Sequence, residues 1–130
     1  MKTLKITTNN RIDFVDITSQ IRNIVTESNI ENGIATVFVP HTTCGITINE
    51  GADPDVARDV LYQLEKLVPR DEGYHHLEGN ADSHIKTVLV GSSENIIIEQ
   101  NKLVLGTWQS VFLCDFDGPR TRKIFVQIID

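Results

Sequence analysis

The sequence has only two cysteines, Cys44 and Cys114, with no Cys-x-x-Cys spacing. An oxidising compartment could pair them, but no other feature points to secretion. The N-terminus, Met1-Lys2-Thr3-Leu4-Lys5-Ile6, lacks the apolar core of a signal peptide. No apolar run approaches the ~20 residues that span a bilayer. Basic charge is scarce as well. Twelve Lys and Arg against 18 Asp and Glu leave a formal charge of −6, which argues against a nucleic-acid binder. Internal repeats and low-complexity linkers are also missing. These absences predict a reduced, cytoplasmic protein with free thiols and no membrane or nucleic-acid partner.

What remains is ordinary globular composition: 40% hydrophobic and 23% charged residues in a chain of 130. That length predicts one domain, residues 1–130. A monomer this small buries only roughly two-thirds of its unfolded surface, so association would help it.

Local patterns predict the elements. Leu4–Thr7 and Ile12–Val15 flank the turn-favouring pair Asn9-Asn10 and read as an opening β-hairpin. Ile17, Ile21, Ile24 and Val25 recur at helical spacing, with Thr18 as N-cap and Asn32-Gly33 as stop. Strands follow at Ile34–Val39 and Gly45–Ile48. Asp53 and Pro54 open a helix whose apolar face is Val56, Val60, Leu61, Leu64 and Leu67, ended by Pro69. From Asp82, a short helix competes with a strand over the β-branched run Thr87–Val90. Ile96–Ile98 and Leu103–Leu105 pair across Gln100-Asn101. Alternation from Thr107 to Asp115 predicts a strand with Trp108 inward and Gln109 outward. Ile124–Ile129 is the last strand. The sum is one α+β domain, a mixed or antiparallel sheet sandwich with two or three helices.

The histidines are the chemically informative residues. Three of the four, His75, His76 and His84, fall in one polar stretch with Glu78, Asn80 and Asp82. The fourth, His41, opens the run His41-Thr42-Thr43-Cys44-Gly45-Ile46-Thr47-Ile48-Asn49-Glu50. Imidazole is the commonest metal ligand and titrates near neutrality. Mixed nitrogen and oxygen donors would suit Zn²⁺, Mn²⁺ or a similar divalent ion. Solvated loop histidines are the plainer reading. Cys44 reads as a small buried thiol rather than a nucleophile. Asp53 reads as structural, leaving Glu50 for proton transfer or metal binding. Arg120-Thr121-Arg122-Lys123 is the densest basic cluster, either a solvated strand end or a contact for an anion.

Four blocks together carry a resemblance. The run His41–Glu50 resembles the "HTTAGITINE" block of the YjbQ family of small bacterial and archaeal proteins. The stretch around His76, Glu78, Gly79, Asn80 and His84 is similar to its "YxHxEGNxxxH" element. Leu103–Gln109 resembles "LxLGTWQ", and Asp117-Gly118-Pro119-Arg120 resembles the "FDGPR" ending. The blocks cover nearly the whole chain in order. Cys44 stands where Ala is common, Thr121 where many members have Arg, and His75 at a variable position.

The resemblance implies an α+β homotrimer with polar pockets near the subunit interfaces. It also implies an activity assigned to some members, secondary thiamine-phosphate synthase, which joins hydroxymethylpyrimidine diphosphate to thiazole phosphate and releases pyrophosphate. Under that reading Glu50, His41 and Gln109 are catalytic, while Asn49, Asn80, Arg120 and Arg122 hold a small phosphorylated substrate. His41, His76 and His84 bind a divalent metal (Zn, Mn or Mg). Metal-dependent phosphoester hydrolysis, or a trimeric binding protein for a small anion or metal, would use the same residues.

Overall fold

Period-two alternation of β-branched and polar residues builds two antiparallel sheets, which the computed structural model describes over residues 1–130. In chain order the elements are β1 (Lys2–Thr7), β2 (Asp13–Asp16), α1 (Thr18–Ser28), β3 (Gly33–Phe38), β4 (Cys44–Glu50), α2 (Pro54–Leu67), α3 (Ala81–Val90), β5 (Ser93–Glu99), β6 (Lys102–Leu103), β7 (Gln109–Asp115) and β8 (Thr121–Ile129). A five-stranded sheet has the order β1-β8-β3-β5-β6, and a three-stranded sheet the order β2-β7-β4.

The main core lies between the sheets. Ile6, Val37, Val39, Ile96, Ile124 and Val126 of the large-sheet side meet Cys44, Ile46, Val111 and Leu113 of the small sheet, with Ile17 and Ile21 of the α1 region. Each such side chain contributes roughly 1.5–3 kcal/mol by leaving water. On the other face of the small sheet, Phe112, Cys114 and Phe116 pack with Leu64 of α2 and Val90 of α3. The small sheet is thus covered on both sides.

The outward face of the large sheet is bare. Ile34 pairs directly with Ile97 on one side and Ile129 on the other, and all three are exposed. Phe38 and Phe125 sit beside each other on the same face, with ring centroids 6.4 Å apart.

Several sequence expectations need correction. β1 and β2 do not form a hairpin: β1 pairs with β8 and β2 with β7, in different sheets. Ile17 occupies the α1 N-cap position. Thr18 is bound through both its N–H and its hydroxyl by Asp16 Oδ1, at 3.0 and 2.6 Å. The helix stops at Asn29 in the left-handed region (φ 57°), ahead of Asn32-Gly33. Residues 81–90 are helix, and the i, i+4 spacing sets buried Lys86 against buried Asp82. Asp53 caps α2 as expected, accepting the Asp55 N–H at 2.9 Å, which stabilises by ~1 kcal/mol. None of the α2 apolar residues is fully buried, however. Trp108 is 64% exposed, because regular strand begins one residue later, at Gln109.

Candidate functional site

The register of β4 against β7 separates the sequence-predicted residues into two groups. Cys44 lies opposite Asp115 at one end of the pair, and Glu50 lies opposite Gln109 at the other. Six residues of strand separate these ends by about 20 Å. His41, His76, Asn80, His84, Arg120 and Arg122 belong to the first end, and Asn49, Glu50 and Gln109 to the second. Within one chain, Glu50 and the histidines therefore do not share a reacting centre.

At the histidine end, α3 and the loop before it assemble a continuous polar chain. The rings of His76 and His84 meet edge to face, centroids 5.2 Å apart. His76 Nε2 lies 3.0 Å from Asn80 Oδ1 and 3.7 Å from Glu78 Oε2. Asn80 Nδ2 donates to Asp117 Oδ2 at 2.9 Å. Arg120 Nη2 donates to the same oxygen at 3.2 Å, and its Nε to the Asp117 carbonyl at 3.0 Å. The guanidinium remains half exposed, and so does the ring of His76. Beside them opens a cleft of about 370 Å³ lined by Arg70, Tyr74, His76, Leu77 and Ala81 among others. Arg70 Nε donates to the Gly79 carbonyl at 3.2 Å, and the Tyr74 hydroxyl to the Pro69 carbonyl at 2.7 Å. These bonds hold the loop that carries His76. His75 is exposed on that loop.

α3 is fixed from beneath by a buried ionic cluster that sequence reasoning missed. Lys86 and Asp82 are fully buried and paired at 2.8 Å. Arg11 donates to Asp82 at 3.0 Å and to Ser83 Oγ at 3.3 Å. Glu65 of α2 pairs with Lys86. Ser83 Oγ donates to the Phe116 carbonyl at 2.6 Å. Burial alone would raise the Asp82 carboxyl, but the Lys86 and Arg11 hydrogen bonds outweigh it and hold its pKa low. The i, i+4 spacing of Asp82 and Lys86 was the available signal. No sequence pattern ties Arg11 to them.

His41 does not join the other histidines. Its Nε2 accepts the Lys123 backbone N–H at 3.0 Å, extending the ladder beyond Phe38, the last β3 residue paired with β8. An accepting nitrogen requires the neutral ring. Burial, then the nearby Arg122, lowers its pKa below the ordinary 6.5. No group of three or more His, Cys, Asp or Glu side chains is arranged to hold a metal ion. The three-histidine metal set is therefore not assembled within the chain. His76 and His84 are its only two members in contact.

Arg122 requires a plain correction. It is 2% exposed and grips Asp115 with two bonds, Nη2 to Oδ1 at 2.7 Å and Nε to Oδ2 at 3.2 Å. Nη2 also donates to Thr43 Oγ1 at 2.8 Å. Only Nη1 is left without a partner, so a bidentate grip on phosphate is not available to it. Residues of β8 alternate, and position 122 points inward while 121 and 123 point out. Cys44 is buried beside this pair, and burial pushes its thiol up to about 12. It is no nucleophile at neutral pH.

At the far end, Gly51 donates its N–H to the Trp108 carbonyl at 2.9 Å. Gln109 Oε1 accepts the Gly106 N–H at 2.8 Å, which leaves its amide NH₂ free. Gly51 itself is required, since a Cβ there would lie 2.0 Å from Ser110 Oγ. An open polar cleft of about 360 Å³ is lined here by Asp16, Arg22, Gly51, Trp108, Gln109 and Ser110, with others.

The chain is thus a two-sheet α+β domain with a His–Asn–Asp–Arg chain at one end and a Trp–Gln cleft at the other. The chain belongs to the UPF0047 family: the family model described as "UPF0047 protein YjbQ-like" matches residues 2–130. It is 52% identical over 125 residues to a UPF0047 protein of Methanocaldococcus jannaschii, covering 96% of this chain and 91% of that one. It is 44% identical over 130 residues to YugU of Bacillus subtilis, covering 99% and 98%. Among solved structures, a YjbQ/UPF0047 family protein of Clostridium acetobutylicum superposes with a TM-score of 0.98 at 53% identity, covering 99% and 100%. A YbjQ-like protein of unknown function from Sulfolobus solfataricus gives 0.94 at 34% identity, covering 98% and 94%. The expected α+β domain, a mixed or antiparallel sheet sandwich with two or three helices, holds in its antiparallel form with three helices. No helix is long and apolar enough to cross a membrane.

Proposed function

We propose that the chain is a transferase of the secondary thiamine-phosphate synthase type, working as a cytoplasmic homotrimer with sites shared between copies. The observation that carries this reading is the half-exposed Arg120 guanidinium on the same hydrogen-bonded chain as His76 and Asn80. A guanidinium beside imidazoles suits a departing phosphate group, which needs its charge neutralised and a proton supplied. In the reaction, the bond from the pyrimidine methylene to diphosphate oxygen breaks. The thiazole nitrogen then supplies the electron pair for the new C–N bond, and pyrophosphate leaves with the broken bond's electrons.

Arg120 and Asn80 bind phosphate oxygens in this scheme, and His84 or His76 delivers a proton to the departing group. Glu50, Asn49 and Gln109 serve from the other end of a neighbouring copy, with Glu50 adjusting protons and the free Gln109 amide orienting a ring. Two opposite half-sites on one chain suit a head-to-tail ring, which closes at small copy number. The exposed Ile34, Ile97 and Ile129 row at one end of the large sheet supplies surface for association. Arg122 takes no part in substrate binding.

A divalent metal fits this chain only in part. His76 and His84 are its two adjacent imidazoles, and further donors would have to come from substrate or a neighbouring copy. Such an ion would neutralise phosphate charge, and no step here depends on it.

The test is to supply hydroxymethylpyrimidine diphosphate and thiazole phosphate and follow thiamine phosphate, with light scattering in parallel. A particle of about 44 kDa, three times the 14.6 kDa chain, is expected if three copies close the ring. A monomer at micromolar concentration would remove the shared site. Binding of phosphate ligands without any product would leave a binding protein in place of an enzyme.

A further inference from the structure

Lys5 and Lys123 lie directly opposite each other in the β1–β8 ladder. Their outward direction follows from the alternation, since Ile6, Arg122 and Ile124 are buried between them in sequence. Like charges in direct cross-strand register destabilise a sheet. Neither lysine has a carboxylate within salt-bridge distance, although the chain carries an excess of acidic residues. The other outward positions of β1, β8 and β3 are Thr, Phe, Gln and Ile, without a single Asp or Glu.

The next outward pair toward the histidine end is Thr7 and Thr121, whose hydroxyls are 3.3 Å apart. On the β3 side, His41 sits against the Lys123 backbone. Arg120, with its half-exposed guanidinium, follows one residue beyond Thr121. The arrangement is two uncompensated ammonium groups, two hydroxyls and a guanidinium on one exposed edge.

We infer that Lys5, Lys123, Thr7 and Thr121, with Arg120 at their margin, form a binding plate for a diphosphate group, either free or carried on a substrate. Two ammonium groups side by side match two linked phosphates better than a single compact anion. The hydroxyls donate to oxygens that the lysines leave open. The bound anion supplies the negative charge that the sheet itself withholds. This rests on the proposed transferase reading for its biological sense, but the binding is separable from turnover. It gives the basic role once expected of Arg122 to residues whose side chains point into solvent.

The experiment is calorimetric titration of the intact protein with inorganic pyrophosphate, orthophosphate and hydroxymethylpyrimidine diphosphate. The variants are K5Q/K123Q and, as a control for general charge, K102Q on the distant strand β6. Pyrophosphate affinity is expected to fall at least about tenfold in K5Q/K123Q, the loss expected when a charge-assisted hydrogen bond is removed, and to hold in K102Q. Without ligand, K5Q/K123Q should melt about 2 °C higher, because the repulsion is gone.

Equal pyrophosphate affinity in wild type and K5Q/K123Q would overturn the plate. So would equal losses in K102Q, orthophosphate binding as tightly as pyrophosphate, or no pyrophosphate binding at millimolar concentration. Pyrophosphate binding that depends on the two lysines, in a protein that makes no thiamine phosphate, would keep the plate and discard the transferase. If the diphosphate substrate loses affinity in step with free pyrophosphate, the same plate serves both.

Discussion

Arg122→Ala is expected to cost about 3–5 kcal/mol of folding stability, the usual penalty for stripping one partner from a buried ion pair. Asp115 would be left buried with a negative charge, keeping only the Thr8 hydroxyl at 2.7 Å and the Asp117 N–H at 3.0 Å. Against a total of roughly 5–15 kcal/mol for a domain, the loss is large. Urea unfolding should show it as a lower midpoint with little change in slope. Joint replacement, Asp115→Leu with Arg122→Met, should recover much of the deficit, because no uncompensated charge remains.

The same pair sets an acid limit. Burial alone would raise the Asp115 carboxyl, but the Arg122, Asp117 and Thr8 hydrogen bonds more than reverse this and hold it below its ordinary 3.8. A depressed folded pKa gives stability that is complete above the unfolded value and is lost as pH falls through the folded one. His41 acts earlier on the scale. Its lowered pKa means the unfolded chain takes up a proton first, so stability declines as pH drops below about 6.5. Unchanged stability in Arg122→Ala would contradict the buried-pair account outright.

Mixing two inactive variants should restore activity. His84→Ala and Glu50→Gln each remove a proton-handling group, and each is expected to lower kcat by about 10²–10⁴-fold. In a head-to-tail ring every site takes its histidine end from one copy and its Glu50 end from the next. Random co-assembly at equal amounts then leaves both ends intact in about one site in four. Co-expressed variants should therefore recover about a quarter of wild-type turnover. If all the groups acted within one chain, the mixture would do no better than its separate parts, and the shared-site reading would fall.

Local chemistry was legible in the sequence. Asp53-Pro54 marks the start of α2, Gln100-Asn101 the tight turn between β5 and β6, and Ile34–Val39 a core strand. Each of those signals is contained within a few residues. The errors came where a distant partner decided the outcome. Asn9-Asn10 has turn chemistry, yet β1 finds β8 and β2 finds β7 from the far end of the chain. Trp108 follows the hydrophobic pattern of a strand that begins only at Gln109, so its size misled where the backbone had not yet become extended.

The site was legible in composition but not in geometry. His76, Asn80 and His84 lie close in sequence, and the fold does bring them together. Arg122 differs from Arg120 by two positions, the same phase of β8, so alternation alone could not separate them. The chain leaves regular strand before Thr121, and that break exposes Arg120 while Arg122 turns to Asp115. Lys5 was invisible because its significance depends on the register that sets it against Lys123.

Helix α2 contributes no fully buried side chain and reaches the rest of the domain through half-buried Val56, Val60, Leu61 and Leu64 and the Glu65–Lys86 pair. A helix held by so little apolar contact opens by local unfolding, at a free energy well below that of the sheets. Its amides should therefore exchange with solvent deuterium long before those of β7 and β8 in a lone chain. Because Glu65 is tied to Lys86 on the buried side of α3, each such opening also loosens the helix that carries His84. Anything that clamps the outer surface of α2 would quieten the histidine end without touching it.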